Sequence, residues 1–203
     1  MDQQSFWASE FGNEYIDRNN SEELMASNLA FFSRIMRLTN ETPGEFLEFG
    51  ANIGMNIKAL KLLYPNSVFS SVEINAEACR QLKEISDVTF QTSIEEFIPE
   101  KSYDVVFSKG VLIHIAPENL PLVYKKIYES SNKWILLAEY YNPTPVGVEY
   151  RGHKDKLFKR DFAGEMLDQY PDLHLVDCGF SYHRGSFPQD DISWFLMQKI
   201  IAS

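Results

Sequence analysis

The fold class can be inferred from Glu48-Phe49-Gly50-Ala51-Asn52-Ile53-Gly54, an apolar run that ends in a turn with two glycines. Residues 46–49 predict a buried strand, and residues 57–64 predict the helix that follows it in a βαβ unit. Gly50 and Gly54 permit a tight turn and the close approach of a ligand, and the helix start offers unpaired N–H groups. Cofactors that contain a nucleotide bind at such a turn in parallel sheets.

A second acidic residue supports this interpretation. Glu73 lies 25 residues after Glu48 (73 − 48 = 25) and follows the apolar run 68–72. A carboxylate at this position can accept hydrogen bonds from both hydroxyls of a ribose. We therefore expect Glu73, together with the adjacent Ile74, to lie beside the ribose of a bound cofactor.

The glycine spacing discriminates among cofactors. A dinucleotide site uses G-x-G-x-x-G to hold a pyrophosphate, whereas this chain has G-x-x-x-G with Asn52 in the middle. Glu48, two residues before Gly50, would repel a phosphate and suits a cofactor that carries an ammonium group. No Gly-Lys-Ser/Thr follows the turn, which excludes a P-loop. These features favour S-adenosylmethionine; a plain βα turn and a nicotinamide-dependent oxidoreductase remain the alternatives.

Strands and helices alternate along the rest of the chain. After an N-terminal helix, which we expect to cover an edge of the sheet, the pattern predicts a doubly wound, mostly parallel α/β sheet. The predicted strands are 46–49, 68–73, 88–91, 103–108, 133–139, 173–182 and 193–201, of which the last two form a closing antiparallel pair. The predicted helices are 22–38, 57–64, 76–85, 93–97 and 120–130.

Composition agrees with a single domain that acts on a small molecule. The 203 residues, 44% of them hydrophobic, can bury one substantial core. A net charge of −10 argues against nucleic acid as a partner, because phosphate binding needs a basic surface. Cys79 and Cys178 have no metal or redox spacing, which favours a reducing cytoplasm. We expect neither a signal peptide nor a membrane span.

Several longer blocks are more specific than the glycine turn. They are residues 6–15, 47–54, 109–115, 138–143, 150–153, 156–167 and 187–191. In these blocks the chain resembles the class I S-adenosylmethionine-dependent methyltransferases and, within that superfamily, the methylases associated with pseudaminic acid biosynthesis. The resemblance covers nearly the full length. It implies one Rossmann-like domain, in which residues 1–40 form a helical cap or lid and residues 41–203 form the catalytic core with a seven-stranded sheet.

The resemblance also implies a reaction. Methyl transfer from S-adenosylmethionine would leave S-adenosylhomocysteine and would require no metal. The favoured acceptor is a sugar or a nonulosonic acid intermediate of the pseudaminic acid type, methylated on oxygen or nitrogen. The alternatives are N-methylation of a cationic amino-acid or guanidino compound, and a non-catalytic scaffold that only binds the cofactor.

The expected cofactor residues follow the first four strands. Glu48, Gly50, Asn52 and Gly54 would line the methionine end, Glu73 and Ile74 the ribose, Ser93 and Ile94 the adenine, and Ser108 and Lys109 the sulfonium. In related enzymes an Asp is commoner at the position of Ser93. Lys109 could instead be a solvated loop residue.

Two side chains are candidates for proton transfer. His114 follows the fourth strand by a few residues, and histidine titrates near neutral pH. Its alternative role is that of a buried histidine that anchors the loop. Tyr140, one of two phenols after the fifth strand, is the second catalytic candidate.

The expected acceptor residues follow the fifth strand. They are Glu139, Tyr141, Asn142, Arg151, His153 and Lys159. Residues 151–160 are basic in an otherwise acidic protein and could hold a carboxylate or a phosphate. Solvated charges that pair with Asp155 and Asp161 are the alternative. Glu139, together with Asp190 and Asp191, would instead suit a cationic acceptor.

Overall fold

The structure, a computed structural model, describes Gln4, Trp7 and residues 21–150 and 153–200. Its strands are β1 (Glu45–Phe49), β2 (Val68–Glu73), β3 (Val88–Gln91), β4 (Tyr103–Lys109), β5 (Ser131–Glu139), β6 (Val146–Tyr150), β7 (His153–Lys159), β8 (Leu173–Ser181) and β9 (Ile192–Lys199). Seven of them form one sheet in the order β3-β2-β1-β4-β5-β9-β8, and β6 and β7 form a separate hairpin. β9 pairs antiparallel with both β5 and β8, and the other neighbours in the sheet are parallel. The predicted sheet with its closing antiparallel pair is therefore confirmed.

Helices pack on both faces of this sheet. They are α1 (Glu22–Met36), α2 (Met55–Leu63), α3 (Ala76–Leu82), α4 (Leu120–Ser130) and α5 (Phe162–Gln169). Three of them begin at a polar residue whose side chain accepts a hydrogen bond from the first turn, namely Ser21, Asn75 and Asp161. Such caps satisfy N–H groups that have no partner within the helix.

Strand alternation divides the core into two apolar clusters. In β1, Leu47 and Phe49 join the cluster that includes α4 and α5, whereas Phe46 joins the cluster that includes α1 and α2. Successive side chains of a strand point to opposite faces of the sheet. Glu48 therefore points to the same face as Phe46, toward α1 and α2.

The N-terminal helix packs on a face of the sheet, so the expectation that it covers an edge was wrong. The Phe32 ring lies 5.6 Å from the Phe107 ring of β4, between centroids, in an edge-on arrangement. Phe32, Ile35 and Met36 are all buried. The wide apolar stripe of α1 needs an apolar surface of similar size, and the central strands supply it.

Two other regions differ from the sequence-based expectations. Residues 93–97 form turns rather than a helix, and the Ser93 hydroxyl accepts a 3.1 Å hydrogen bond from the N–H of Glu96. The β6–β7 hairpin and α5 were not predicted. In the described part of the chain, no helix has the length and apolar character needed to cross a membrane.

Candidate active site

A cavity of ≈ 270 Å³ lies at the carboxyl ends of the parallel strands. Its wall is formed by the segments that follow these strands, namely Gly50–Asn52, Glu73–Asn75, Thr92–Glu95, Lys109–Val111 and Tyr140. The chain runs outward from β1 to β2 and β3, then returns to β4 on the other side of β1. Ligands of open α/β sheets bind at this kind of switch point.

The backbone conformation of the turn after β1 explains why Gly50 and Gly54 stand there. Gly50 has a φ of 69°, in the left-handed region, and its N–H donates to the carbonyl of Val72 at 2.8 Å. A Cβ at Gly50 would lie only 2.5 Å from Cγ2 of Val111. Gly54 has a φ of 77°, and a Cβ there would lie 2.8 Å from Cδ1 of Leu82. Gly50 lines the cavity, whereas Gly54 serves the helix start.

The Glu73 carboxylate is fixed by the backbone at the cavity wall. Its Oε2 accepts the N–H of Asn52 and its Oε1 accepts the N–H of Asn75, both at 2.8 Å. Burial raises the pKa of Glu73, against the effect of these hydrogen bonds. Each carboxylate oxygen can accept a second hydrogen bond. Glu73 therefore keeps the capacity to bind two hydroxyls.

Glu48 does not line the cavity itself, but it is hydrogen-bonded to a residue that does. Its Oε1 accepts a 2.6 Å hydrogen bond from Nδ2 of Asn56, and Asn56 lines the cavity. Its Oε2 is buried and has no hydrogen-bond partner among the described residues. Burial raises the pKa of Glu48 to about 8, while the hydrogen bond from Asn56 and the charge of Lys109 oppose this rise. A buried carboxyl with one unused oxygen suits a cationic ligand group nearby.

Lys109 ends β4 and lines the cavity. Burial lowers the pKa of its ammonium group, and the negative charges of Glu48, Asp190 and Glu139 oppose that effect. Its Nζ lies 5.8 Å from the centre of the Phe31 ring. The alternative of a solvated loop lysine does not fit this environment.

Ser108 and Glu139 form a buried junction rather than part of the wall. The Ser108 hydroxyl donates a 2.9 Å hydrogen bond to Oε1 of Glu139. The same oxygen accepts the N–H groups of Val111 and Leu112, both at 3.1 Å. Burial raises the pKa of Glu139 to about 7. Neither Ser108 nor Glu139 is among the residues that line the cavity.

The two candidates for proton transfer both line the cavity. His114 ends a short 3₁₀ helix (Leu112–His114) after β4 and is 9% exposed. Its ring lies 4.5 Å from the Trp7 ring, between centroids. The Tyr140 ring lies 5.1 Å from Nζ of Lys159. The structure thus brings His114 and Tyr140 to one space from two different strand ends.

The N-terminal segment contributes to the same wall. Gln4 and Trp7 line the cavity, and the carbonyl of Trp7 accepts a 3.2 Å hydrogen bond from Nδ2 of Asn75. The other residues of 1–20, which belong to the predicted lid of residues 1–40, lie outside the described residues. The lid therefore stays a prediction.

The expected acceptor residues are only partly brought together. Tyr141 is 43% exposed, with its ring 6.0 Å from that of Phe195, and neither Tyr141 nor Asn142 lines the cavity. Lys159 contacts Tyr140, as described above. Arg151 and the side chain of His153 lie outside the described part of the structure. Within the basic segment, Arg160 Nε donates to Oε1 of Glu165 at 2.6 Å, a partner that the sequence did not predict.

Sequence reasoning missed several polar cavity residues, among them Asn56, Asn75, Asn28 and Gln189. Asn28 lies on the apolar stripe of α1 between Leu24 and Phe32, and a polar residue in such a stripe is a signal that could have identified it. Gln189 lies in a polar loop, where no local pattern distinguishes it. The two residues contact each other, since Nε2 of Gln189 donates to Oδ1 of Asn28.

Comparisons with known proteins identify the fold. No family model matches the chain, and no curated protein matches its sequence. The magnesium protoporphyrin IX methyltransferase ChlM from Synechocystis PCC 6803, solved with bound SAH, is 10% identical with a TM-score of 0.73, and the match covers 98% of this chain and 100% of that one. The 1,6-didemethyltoxoflavin-N1-methyltransferase from Burkholderia thailandensis, solved with 1,6-didemethyltoxoflavin and S-adenosylhomocysteine, is 14% identical with a TM-score of 0.70, and the match covers 98% and 87%.

A third solved structure agrees with these two. The plantazolicin methyltransferase BpumL in complex with SAH is 15% identical with a TM-score of 0.67, and the match covers 97% of this chain and 93% of that one. Because the sequence identities are only 10%, 14% and 15%, these three comparisons establish the fold alone. This chain has the Rossmann-like fold of the class I S-adenosylmethionine-dependent methyltransferases.

Proposed function

We propose that this chain transfers a methyl group from S-adenosylmethionine to a small polar acceptor. One observation carries the proposal: most of the expected cofactor residues, from four separate segments, line a single cavity. They are Gly50, Asn52, Glu73, Ile74, Ser93, Ile94 and Lys109. Glu48, Gly54 and Ser108 are not among the lining residues. Glu48 binds the lining residue Asn56, Gly54 begins α2, and Ser108 binds Glu139, which holds the lining residue Val111.

The cavity offers suitable groups for each part of this cofactor. The Glu73 carboxylate, aligned by two backbone N–H groups, would accept the ribose hydroxyls. Ser93 and Ile94 would contact the adenine. Asn56, held by the buried Glu48 carboxyl, would contact the methionine end, and the ammonium group there would lower the raised pKa of Glu48 and favour its carboxylate form. S-adenosylmethionine itself supplies a methyl group activated by a sulfonium.

The residues around the reacting atoms have to align the acceptor and receive a proton where the acceptor carries one. His114 and Tyr140 are the groups in position for this, since both line the cavity beyond β4 and β5. Trp7 lies against His114 and would help to exclude water. An N-terminal lid that includes Trp7 would then order with the bound ligands.

The favoured acceptor is a sugar or a nonulosonic acid of the pseudaminic acid type. Its support is the sequence resemblance in blocks 138–143 and 150–153, the second of which includes the last residue of β6 and the first residue of β7. Arg151, His153 and Lys159 would bind an anionic group. Tyr141 and Asn142, which lie outside the cavity wall, would contact a part of the acceptor that extends beyond the cavity, and Glu139 would support this side from beneath. The resemblance, not the solved structures, is the basis for this choice.

A cationic acceptor is the second candidate. Asp190 lines the cavity, and its charge acts on Lys109. A carboxylate on the wall would attract an amine or a guanidinium group. The reaction would then be an N-methylation.

Calorimetry with S-adenosylmethionine, S-adenosylhomocysteine and NADH tests the proposal. We expect both adenosyl ligands to bind and NADH not to bind. Binding of NADH alone would instead support an oxidoreductase. Incubation of the protein with labelled methyl donor and the small-molecule fraction of a cell extract then identifies the acceptor. Cofactor binding without methyl transfer to any fraction would support a scaffold.

A further inference from the structure

Two amide side chains meet in the wall of the cavity, one on α1 and the other in the loop between β8 and β9. Nε2 of Gln189 donates a 3.2 Å hydrogen bond to Oδ1 of Asn28. Asn28 is 1% exposed and Gln189 is 6% exposed, and both line the cavity. The base of the loop is held by Asp191, whose carboxylate accepts the N–H of His183 at 2.9 Å. The pair is therefore buried and fixed from two elements.

The pair retains hydrogen-bonding capacity that the protein does not use. An amide side chain offers one oxygen acceptor and two N–H donors. Within the described residues, Nδ2 of Asn28 and Oε1 of Gln189 have no hydrogen bond. If both amides were turned over, one nitrogen and one oxygen would still remain. A ligand that displaces water from the cavity must supply partners for them, because unpaired buried amides are costly.

The sheet order places this pair at the acceptor end of the cavity. The predicted cofactor residues follow β1, β2 and β3, whereas Gln189 precedes β9, which pairs with β5 on the far side of β4. Tyr140, after β5, and Ile192, in β9, line the same end. An acceptor that reaches His114 and Tyr140 therefore lies near the amide pair.

Two groups of opposite charge lie at this end of the cavity. Lys109 and Asp190 both line the cavity, and the charge of Asp190 acts on the ammonium group of Lys109. Because one positive and one negative group are present, a net charge on the acceptor is not strongly favoured by this part of the wall. Selection then depends more on uncharged hydrogen bonds.

We propose that Asn28 and Gln189 form a specificity-determining pair that binds an uncharged, hydroxyl-bearing part of the acceptor, such as a sugar ring presents. This inference rests on the proposed methyl transfer at this cavity. A hydroxyl accepts an N–H from Asn28 while it donates to the Gln189 oxygen, so one group satisfies both free atoms. A carboxylate would face the Gln189 oxygen, and an ammonium group would face the Asn28 N–H, so both are disfavoured.

Three probes with the same ring test the pair: N-acetylglucosamine is uncharged, glucuronate is an anion and glucosamine is a cation. Their binding is measured by ligand-observed NMR on protein saturated with S-adenosylhomocysteine, after calorimetry has measured the affinity for S-adenosylhomocysteine. We expect N-acetylglucosamine to bind about tenfold more tightly than either charged probe. No binding of S-adenosylhomocysteine overturns the proposed function and this inference together. Saturation with S-adenosylhomocysteine but no preference for N-acetylglucosamine overturns this inference alone.

A charge substitution separates recognition from a structural role. In Gln189→Glu the carboxylate can accept from Asn28 and keep the loop in place, but both atoms left for the ligand are then oxygens. We expect glucosamine to bind about tenfold more tightly than N-acetylglucosamine in this variant. Asn28→Asp creates the same pair of oxygens from α1 and replaces Gln189→Glu if that variant does not fold. A folded variant with unchanged preference overturns the proposal.

Removal of the amide provides the matched comparison. Gln189→Met keeps a side chain of similar size, and we expect it to weaken N-acetylglucosamine binding about tenfold without changing the affinity for S-adenosylhomocysteine. The control is Gln91→Met at the exposed end of β3, outside the cavity wall, and it should change neither affinity. An equal effect of the two methionine substitutions would overturn the proposal.

Discussion

The Ser108 hydroxyl donates a 2.9 Å hydrogen bond to Oε1 of Glu139, and this contact joins the ends of β4 and β5 beneath the cavity. The same oxygen holds the N–H groups of Val111 and Leu112 at the start of the loop that carries His114. Glu139 therefore positions a catalytic candidate, in addition to its predicted contact with the acceptor.

Removal of this carboxylate should destabilise the protein. Glu139→Ala leaves three buried donors without a partner, so we expect the free energy of unfolding to fall by about 2 to 4 kcal/mol. Ser108→Ala removes one of the three hydrogen bonds and should cost about 1 kcal/mol. Chemical denaturation measures both. An alanine variant of Glu139 as stable as the parent would show that the loop does not depend on this junction.

The glycine turn should tolerate no side chain. Gly50→Ala combines a left-handed backbone with a Cβ too close to Val111, so we expect a loss of stability of about 1 to 3 kcal/mol. The thermal upshift with S-adenosylhomocysteine should disappear, because a ligand that binds the folded state must raise its stability. Differential scanning fluorimetry measures both effects.

A second substitution separates the two costs at Gly50. Val111→Ala in the Gly50→Ala background removes the methyl groups in the way and should restore part of the stability, leaving the backbone cost of about 1 to 2 kcal/mol. The control is Gly147→Ala, which has ordinary space around its Cβ and no positive φ. No recovery in the double variant would contradict the contact with Val111.

Glu73 should dominate the affinity for the cofactor. Glu73→Ala removes a carboxylate poised for two hydroxyl hydrogen bonds, so we expect the binding of S-adenosylmethionine to weaken by about 2 to 4 kcal/mol. Calorimetry on Glu73→Ala, with the exposed Glu84→Gln as the control, measures the loss. An unchanged affinity in a well-folded variant would remove Glu73 from the site.

Local patterns predict the cofactor side of the fold. β2 (Val68–Glu73) and α4 (Leu120–Ser130) have the predicted bounds, because an apolar run and a helical stripe are signals within one element. In the β6–β7 hairpin, residues 146–149 are exposed on successive positions, so the strand shows no burial alternation to detect. The segment 93–97 has too few residues to form a stable helix once Ser93 caps a turn.

The acceptor side depends on contacts between distant residues. Asn28 and Gln189 are 161 positions apart, and their contact exists only because α1 packs on the sheet face where the β8–β9 loop ends. Glu139 also depends on residues that are distant in sequence, because it binds the N–H groups of the loop that follows β4. A sequence pattern can place such residues at strand ends, but it does not reveal which side chains line the cavity and which support it.

The buried carboxyls should make stability depend on pH. Burial raises the pKa of Glu48 to about 8 and that of Glu139 to about 7, whereas both carboxyls have an ordinary pKa of about 4.5 in the unfolded chain. Between these values the folded state binds more protons, so stability falls as pH rises. We expect each group to contribute a slope of up to about 1.4 kcal/mol per pH unit in its window.

Glu48→Gln identifies the group responsible above pH 7. It removes the ionisable carboxyl but keeps an acceptor for Asn56, so the fall in unfolding free energy between pH 7 and 8 should become smaller. Urea denaturation at a series of pH values measures the slope, with Glu84→Gln as the control. A slope in Glu48→Gln equal to that of the parent would assign the dependence to other groups.

Substitution of Arg151 distinguishes an anionic from a cationic acceptor. If Arg151 and its neighbours hold an anion, Arg151→Gln should raise the Michaelis constant of the acceptor found in the labelled-methyl screen about tenfold to a hundredfold. That range corresponds to one charge-assisted hydrogen bond of about 1.5 to 3 kcal/mol. The affinity for S-adenosylhomocysteine should not change.

The control is Arg184→Gln, an exposed arginine outside the cavity wall, which should leave both the Michaelis constant and this affinity unaltered. For a cationic acceptor the pattern reverses: Asp190→Asn raises the Michaelis constant and Arg151→Gln does not, because the Asp190 carboxylate lines the cavity and now supplies the attraction. Glu139→Gln, whose side chain lies beneath the wall, acts only through the loop that carries His114. Steady-state kinetics of the four variants separates the two classes, and an increase confined to Arg184→Gln would contradict both.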